Sequence, residues 1–201
     1  MTDTVFAILL AAGFSSRFGN QNKLLAPFRG KPLVRHTLDL VCGMRCFNRI
    51  LFVYADEDVA LVARDYIIAG QVTPVFNSAP QHGQGESVRL GVSAAFTPTA
   101  GPESAYYLFF PCDQPLLDAA TVRLILDAAR PGSIVEPVCR DYRGSPSLFS
   151  AAFHDDLIAL KPGEVPRLLK LRYPQAVIQV DVPERAALED IDTPADLTRL
   201  S

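Results

Sequence analysis

The sequence predicts an α/β protein: a three-layer α/β/α sandwich around a mostly parallel sheet, with residues 1–201 forming a single domain. Three observations predict it. The strand-like runs at Val5–Leu10, Arg49–Tyr54, Val72–Phe76, Ala105–Phe110 and Ile134–Val138 are mainly continuous apolar stretches rather than alternating ones, as strands covered on both faces are. Helical spacing of apolar residues recurs between them, the pattern of strand–helix–strand units. At 201 residues, 49 % apolar and 20 % charged, the chain can bury one sizeable core.

In order, Val5–Leu10 ends at the small residues Ala11-Ala12-Gly13, where another molecule can approach the backbone closely. A helix is expected from Lys31-Pro32-Leu33 on, carried by Leu33, Thr37, Leu40 and Val41, with proline at an early position where its missing N–H does no harm. Asp56-Glu57-Asp58 opens a second helix at its positive end, carried by Val59, Val62, Ala63, Tyr66 and Ile67. The third strand is followed by a polar, glycine-bearing loop and a helix over Ser87–Phe96. Ala105–Phe110 runs into Pro111-Cys112-Asp113-Gln114-Pro115, and Val122, Ile125, Leu126 and Ala129 mark the next helix. The last third is less regular: a turn at Arg143-Gly144-Ser145-Pro146, short helices around Phe153–Leu160 and Pro166–Arg172, a strand near Val177–Val182, and Asp190-Ile191-Asp192-Thr193-Pro194 before a final helix.

Composition excludes several classes. A net charge of −3 argues against a general nucleic-acid surface. No apolar run approaches the roughly 18 residues of a membrane span, and no basic leader precedes the first strand. The four cysteines form no Cys-x-x-Cys, and a chain of this size needs no disulfide staples, so a cytoplasmic location is expected. The three histidines are scattered and no Gly-x-Ser-x-Gly occurs, leaving a hydrolase triad without support.

The candidate chemistry gathers at strand ends, where open parallel sheets bind ligands. Gly13, Ser15, Ser16, Arg17 and Lys23 combine a glycine-turned loop, free amides and two cations, a design suited to a multiply charged anion such as a triphosphate; an ordinary turn has the same ingredients. Neither the Walker loop nor the Gly-x-Gly-x-x-Gly fingerprint is present. Asp113, on a loop stiffened by two prolines, suits a divalent cation or a simple turn. Asp192 reads as the cap of the final helix or as a second metal carboxylate. Gln84, Glu86 and Ser87 could read a nucleobase edge. The dearth of acid–base residues fits attack by a phosphate oxygen, which needs no general base, only positioning and charge neutralisation.

Taken together, Leu10-Ala-Ala-Gly-Phe-Ser-Ser-Arg-Phe-Gly19 with Lys23-Leu24-Leu25 resembles the signature loop of Rossmann-like nucleotidyltransferases. The later series is Gly83-Gln84-Gly85-x-Ser87-x-x-x-Gly91, Cys112-Asp113-Gln114-Pro115, Arg143-Gly144-x-Pro146-x-x-Phe149 and Asp190-Ile-Asp-Thr-Pro194. It is similar to the molybdenum cofactor cytidylyltransferases, within the MobA-like NTP transferases, over nearly the whole chain. The resemblance implies a fold of the nucleotide-diphospho-sugar transferase type. It also implies Mg2+-dependent transfer of CMP from CTP to the terminal phosphate of a molybdopterin-type cofactor, with release of pyrophosphate.

By the same motifs Leu10, Ala11, Ala12, Gly13 and Ser15 would line the nucleotide, Arg17 would grip the triphosphate, and Lys23 would neutralise charge near the α-phosphate. Asp113 would hold Mg2+ with Asp192 as second ligand. Gln84, Gly85 and Ser87 would face the base or ribose, and Arg143, Gly144 and Pro146 would border the acceptor. Leu-Ala-Ala-Gly, where guanylyltransferases tend to carry Leu-Ala-Gly-Gly, favours CTP through Ala12. Gly163-Glu164-Val165-Pro166-Arg167 departs from the family's Gly-Asp-x-Gly-Ala-Arg and leaves the acceptor open. The alternatives are GTP, another phosphorylated acceptor, or a non-catalytic accessory protein that hands cofactor to a molybdenum hydroxylase.

Overall fold

The apolar runs become strands, and their neighbours in space decide how deeply each is buried. In the computed structural model, which describes residues 4–13, 18, 22–95 and 105–200, β1 (Thr4–Ala11) is followed by a two-stranded ribbon, β2 (Pro27–Phe28) and β3 (Lys31–Pro32), and by α1 (Leu33–Met44). Then come β4 (Arg49–Tyr54), α2 (Glu57–Val62), α3 (Arg64–Ile68), β5 (Thr73–Phe76), α4 (Gln84–Ala95) and β6 (Ala105–Pro111). The chain continues with α5 (Ala119–Asp127), β7 (Ile134–Cys139), β8 (Tyr142–Arg143), β9 (Ser147–Ser150), α6 (His154–Ile158), α7 (Arg167–Arg172), β10 (Val177–Asp181) and α8 (Pro194–Leu200).

The main sheet runs β10-β7-β9-β6-β1-β4-β5, with β8 paired to β7. β1 lies parallel between β4 and β6, and β9 inserts antiparallel between β6 and β7. The sheet is therefore mostly parallel, as its apolar strands predicted. β5 is the exception among those runs: it is an edge strand, and Phe76 stands 53 % exposed.

Period-two alternation sorts β1 into two cores. Ala7, Leu9 and Ala11 join Val34, Leu38, Val41, Val59, Val122 and Ile125 beneath α1, α2 and α5. Phe6 and Ile8 face the other way, toward Val88, Val92, Leu157 and Leu169 of α4, α6 and α7. Gly91 is what lets α4 lie against β1, because a Cβ there would sit 2.5 Å from Cγ2 of Ile8.

Several expectations are corrected. Lys31 and Pro32 belong to a strand, and the helix starts at Leu33. The helix read through Val59–Ile67 is interrupted at Ala63, whose N–H bonds the Ala60 carbonyl in a tighter turn. The helix expected from Ser87 begins three residues earlier, at Gln84. β9, read as irregular chain, is a buried strand of only four residues, too short to show a period by itself and formed by its two antiparallel neighbours.

Candidate functional site

The site forms where two distant loops are tied across the carboxyl ends of β1 and β6. The Ile191 N–H donates to the Asp113 carbonyl at 2.9 Å. The buried Gln114 amide nitrogen donates to the Leu188 carbonyl at 3.0 Å and to Asp190 Oδ1 at 2.8 Å. These bonds bring the segment after β6 against the segment before α8, so Asp113 and Asp192 share a neighbourhood. Lys23 completes it: its Nζ lies 2.6 Å from Asp113 Oδ2 and 2.8 Å from Asp192 Oδ1. Lys23 sits in a short turn whose shape is set by Asn22. The Asn22 Oδ1 accepts from the Leu24 N–H at 3.1 Å, and its Nδ2 donates to Asp56 Oδ2 at 2.9 Å.

Electrostatics holds Lys23 charged. Burial works against the ammonium, but Asp113 and then Asp192 outweigh it and set its pKa above the ordinary lysine value. Asp190 behaves in the opposite way. Although its surface opens on a cavity, the protein packed around it and then the charge of Asp113 push its pKa up to about 7, with the Gln114 hydrogen bond opposing. Among the described residues, two buried polar atoms here have no hydrogen-bond partner: Asp113 Oδ1 and Gln114 Oε1. A buried carboxylate oxygen left in that condition costs stability unless a water, ion or ligand satisfies it.

The structure reassigns the cap of the final helix from Asp192 to its neighbour. Thr193 Oγ1 accepts from the Asp196 N–H at 3.3 Å, while Asp196 Oδ2 accepts from the Thr193 N–H at 2.9 Å. This reciprocal cap leaves the Asp192 carboxylate to Lys23. Among the described residues no three His, Cys, Asp or Glu side chains form a metal cluster. Asp113 with Asp192 is a two-carboxylate set, which suits Mg2+ when substrate phosphates supply further oxygens. The orphaned Asp113 Oδ1 fits that use.

The other expected residues divide as follows. Leu10 and Gln84 line a cavity of about 980 Å3 beside this group, together with Arg143, Gly144 and Asp190. Ala11 and Ala12 are buried at the end of β1, and among the described residues a Cβ on Gly13 would meet nothing within 4 Å. Ser15 and Arg17 lie outside the described residues. Pro146 follows a cis peptide bond and leads the chain into β9.

Gly85 and Ser87 are buried and play supporting parts. The Ser87 hydroxyl accepts from Asn77 Nδ2 at 3.0 Å, fixing the loop before α4 to its first turn. A Cβ on Gly85 would come 2.4 Å from the Glu164 carbonyl oxygen, and the Gly163 N–H donates to the His82 carbonyl at 2.8 Å. The altered motif Gly163–Arg167 is thus braced on the glycine loop, and Val165, Pro166 and Arg167 wall the cavity.

Sequence reasoning missed Glu136, Lys170 and Gln179. Glu136 interrupts an otherwise apolar strand, and that was the one available signal. Its side chain is 3 % exposed and accepts from Lys170 Nζ at 2.8 Å, Gln179 Nε2 at 3.1 Å and Arg143 Nη1 at 3.4 Å. Burial alone would raise its pKa; Lys170 and Gln179 outweigh that and hold it below the ordinary glutamate range. Burial draws Lys170 down against the pull of Glu136.

With this geometry in hand, the likeness to known proteins is specific. A profile of the MobA-like NTP transferase domain matches residues 7–177. The nicotine blue oxidoreductase of Paenarthrobacter nicotinovorans is 28 % identical over 204 residues, covering 98 % of this chain and 96 % of that one. A molybdenum cofactor guanylyltransferase of Yersinia pestis is 29 % identical over 130 residues, 61 % of this chain and 55 % of its own. A 2-C-methyl-D-erythritol 4-phosphate cytidylyltransferase of Azoarcus sp. is 33 % identical over 91 residues, 44 % of this chain and 38 % of its own. Among solved structures, Rv0371c of Mycobacterium tuberculosis H37Rv superposes with a TM-score of 0.76 at 25 % identity, covering 100 % of this chain and 98 % of the other. The profile covers most of β1, the Asp113 loop and the β6, β7 and β9 strands, and the chain belongs to the MobA-like NTP transferase family.

Proposed function

We propose that this protein transfers a nucleotidyl group, CMP from CTP, to the terminal phosphate of a molybdopterin-type cofactor and releases pyrophosphate. The observation that carries the reading is the Lys23–Asp113–Asp192 group at the carboxyl end of β1 and β6, with one buried Asp113 oxygen left without a hydrogen-bond partner among the described residues. Such a group has what phosphoryl chemistry asks of a protein: fixed charge, a rigid frame and no general base.

Asp113 and Asp192 would hold Mg2+, whose charge would offset that of the triphosphate. Lys23 keeps a full positive charge at neutral pH and donates hydrogen bonds in the same place. The Gly13 backbone, where a Cβ would meet no described atom within 4 Å, would admit an approaching phosphate. Ala12, rather than a second glycine, favours the smaller cytosine ring. An oxygen of the acceptor phosphate would then attack the α-phosphorus, and the bond from the α-phosphorus to the oxygen bridging to the β-phosphate would break, releasing pyrophosphate.

The test is pyrophosphate release with CTP, GTP, ATP and UTP offered separately, with and without molybdenum cofactor, in the presence and absence of Mg2+. Release with CTP that depends on the cofactor is expected. GTP as the preferred donor would overturn the CTP reading. Release that persists in excess EDTA would overturn the metal reading.

A second reading rests on the full-length similarity to a protein named as an oxidoreductase. In it the same cavity would hold a redox substrate beside a nucleotide-bound electron carrier. Oxidation of a reduced nicotinamide dinucleotide by the protein, with no pyrophosphate from any triphosphate, would favour it. Lys23 paired between two carboxylates speaks for the transferase, since hydride transfer has no call for that group.

A further inference from the structure

The cavity floor is a row of side chains across five consecutive strands, β1-β6-β9-β7-β10. Strand register fixes the row. Leu10 pairs with Pro111, Phe109 pairs with Ser147, and Glu136 pairs with Gln179, so alternation sends all of them to one face of the sheet. Glu136 stands one register position beyond the Val135–Leu148 pair, beside Ser147. Lys170 reaches down from α7 and joins the two, 2.8 Å from Glu136 Oε2 and 2.8 Å from Ser147 Oγ.

Glu136 and Lys170 are unusual tenants for a sheet core. A buried ion pair in such a place is a poor source of stability, because desolvation offsets most of the attraction. Here the pair faces a cavity, and with Gln179 and Ser147 it alternates donors and acceptors along one edge. That pattern recognises a polar, hydrogen-bonding head group.

Distance gives the second half of the argument. The reaction centre lies at β1 and β6, and Glu136 lies on β7, two inter-strand steps from β6 and three from β1. At about 4.8 Å per step this is roughly 10–14 Å. A short sugar phosphate whose phosphate sits at the carboxyl end of β6 would not span that gap. A phosphomonoester built on several fused rings would span the gap.

Resting on the transferase reading, we propose that Glu136, Lys170 and Gln179 form a head-group subsite that selects a long, multi-ring phosphomonoester acceptor and rejects short sugar phosphates. Lys170 and Gln179 are the donors, and Glu136 is both an acceptor and the group that positions them. Arg143, 3.4 Å from Glu136, closes the subsite on the solvent side.

The test uses the full chain, with molybdenum cofactor as the long probe and 2-C-methyl-D-erythritol 4-phosphate as the short one. Binding of each is measured directly by equilibrium dialysis and turnover by pyrophosphate release. The variants are Glu136→Gln and the double change Glu136→Gln with Lys170→Met, which removes both charges and spares the fold an unpaired one. Thermal unfolding of each variant checks folding. The expected result is a loss of cofactor binding by about ten- to a hundredfold in the double variant, the scale of a lost charge-assisted hydrogen bond, with CTP affinity unchanged. Gln179→Ala is expected to lower cofactor binding severalfold.

Equal cofactor binding by wild type and double variant overturns the subsite. So does preferential turnover of the short probe, although the transferase reading would then stand. Cofactor binding that is weakened by the variants, with no pyrophosphate released by any of them, would support the subsite and defeat the transferase reading instead.

Discussion

Gly85 offers the sharpest probe of how the Gly83–Ser87 loop and the Gly163–Arg167 wall of the cavity depend on each other. In Gly85→Ala the new methyl group would lie 2.4 Å from the Glu164 carbonyl oxygen, 3.3 Å from its carbonyl carbon and 3.5 Å from the Leu160 Cβ. Ordinary contact begins near 3.4 Å, so the Glu164 backbone must retreat by roughly 1 Å. A peptide plane cannot rotate aside as a flexible side chain does, and Gly163 is already bonded to His82. Overpacking of this kind costs about 1–3 kcal/mol. In a chain of this length each kcal/mol lowers Tm by about 2–4 °C, so a fall of about 2–12 °C is expected in thermal unfolding followed by circular dichroism. The displaced segment carries Val165, Pro166 and Arg167 in the cavity wall, so the acceptor KM should rise more than the CTP KM. Gly43→Ala is the control: it is an exposed helical glycine whose Cβ would meet nothing within 4 Å, and it should leave Tm unchanged or slightly raised. A Gly85→Ala protein with wild-type Tm and wild-type acceptor KM would refute the reasoning.

Three further outcomes follow from the site and its supports. Lys23→Met removes the cation between Asp113 and Asp192 and should lower pyrophosphate release by about 100- to 1000-fold, the usual loss for one charge-stabilising donor; a loss under threefold would remove Lys23 from the chemistry. Asp113→Asn should raise the Mg2+ concentration needed for half-maximal turnover while leaving CTP binding in the absence of metal intact, and an unaltered Mg2+ titration would exclude Asp113 as a ligand. Asp196 is held down to about 2 chiefly by its bond from Thr193 and also by Arg199. A lowered carboxyl pKa stabilises the fold at pH values above its unfolded value near 3.8 and ceases to do so as pH falls through about 2. Asp196→Asn should therefore cost about 0.5–1 kcal/mol at pH 7, a difference that shrinks toward zero between pH 4 and pH 2 in urea unfolding; a constant difference across that range would show that the cap does not depend on the charge.

The sequence by itself determined the sheet and its class. Runs such as Arg49–Tyr54 are apolar on both faces, and that can be satisfied only between two layers of helices, so their layering was legible without coordinates. It also singled out Lys23 and Asp113 as candidates, because a cation after a glycine turn and a proline-flanked carboxylate are local signals. Tertiary structure decided the rest. The four-residue β9 exists because β6 and β7 offer it antiparallel partners, and no periodicity in Ser147–Ser150 could have announced that. Asp192 reads locally as a helix cap, yet Thr193 takes that role and Asp192 meets Lys23, 169 positions away. Glu136 looked like one polar residue in an apolar strand; only strand register and the reach of Lys170 from α7 make it the floor of a cavity. Strand identity is carried by neighbours in sequence, whereas register, ion pairing and cavity shape come from residues far apart along the chain, and these are set only when the layers close on one another.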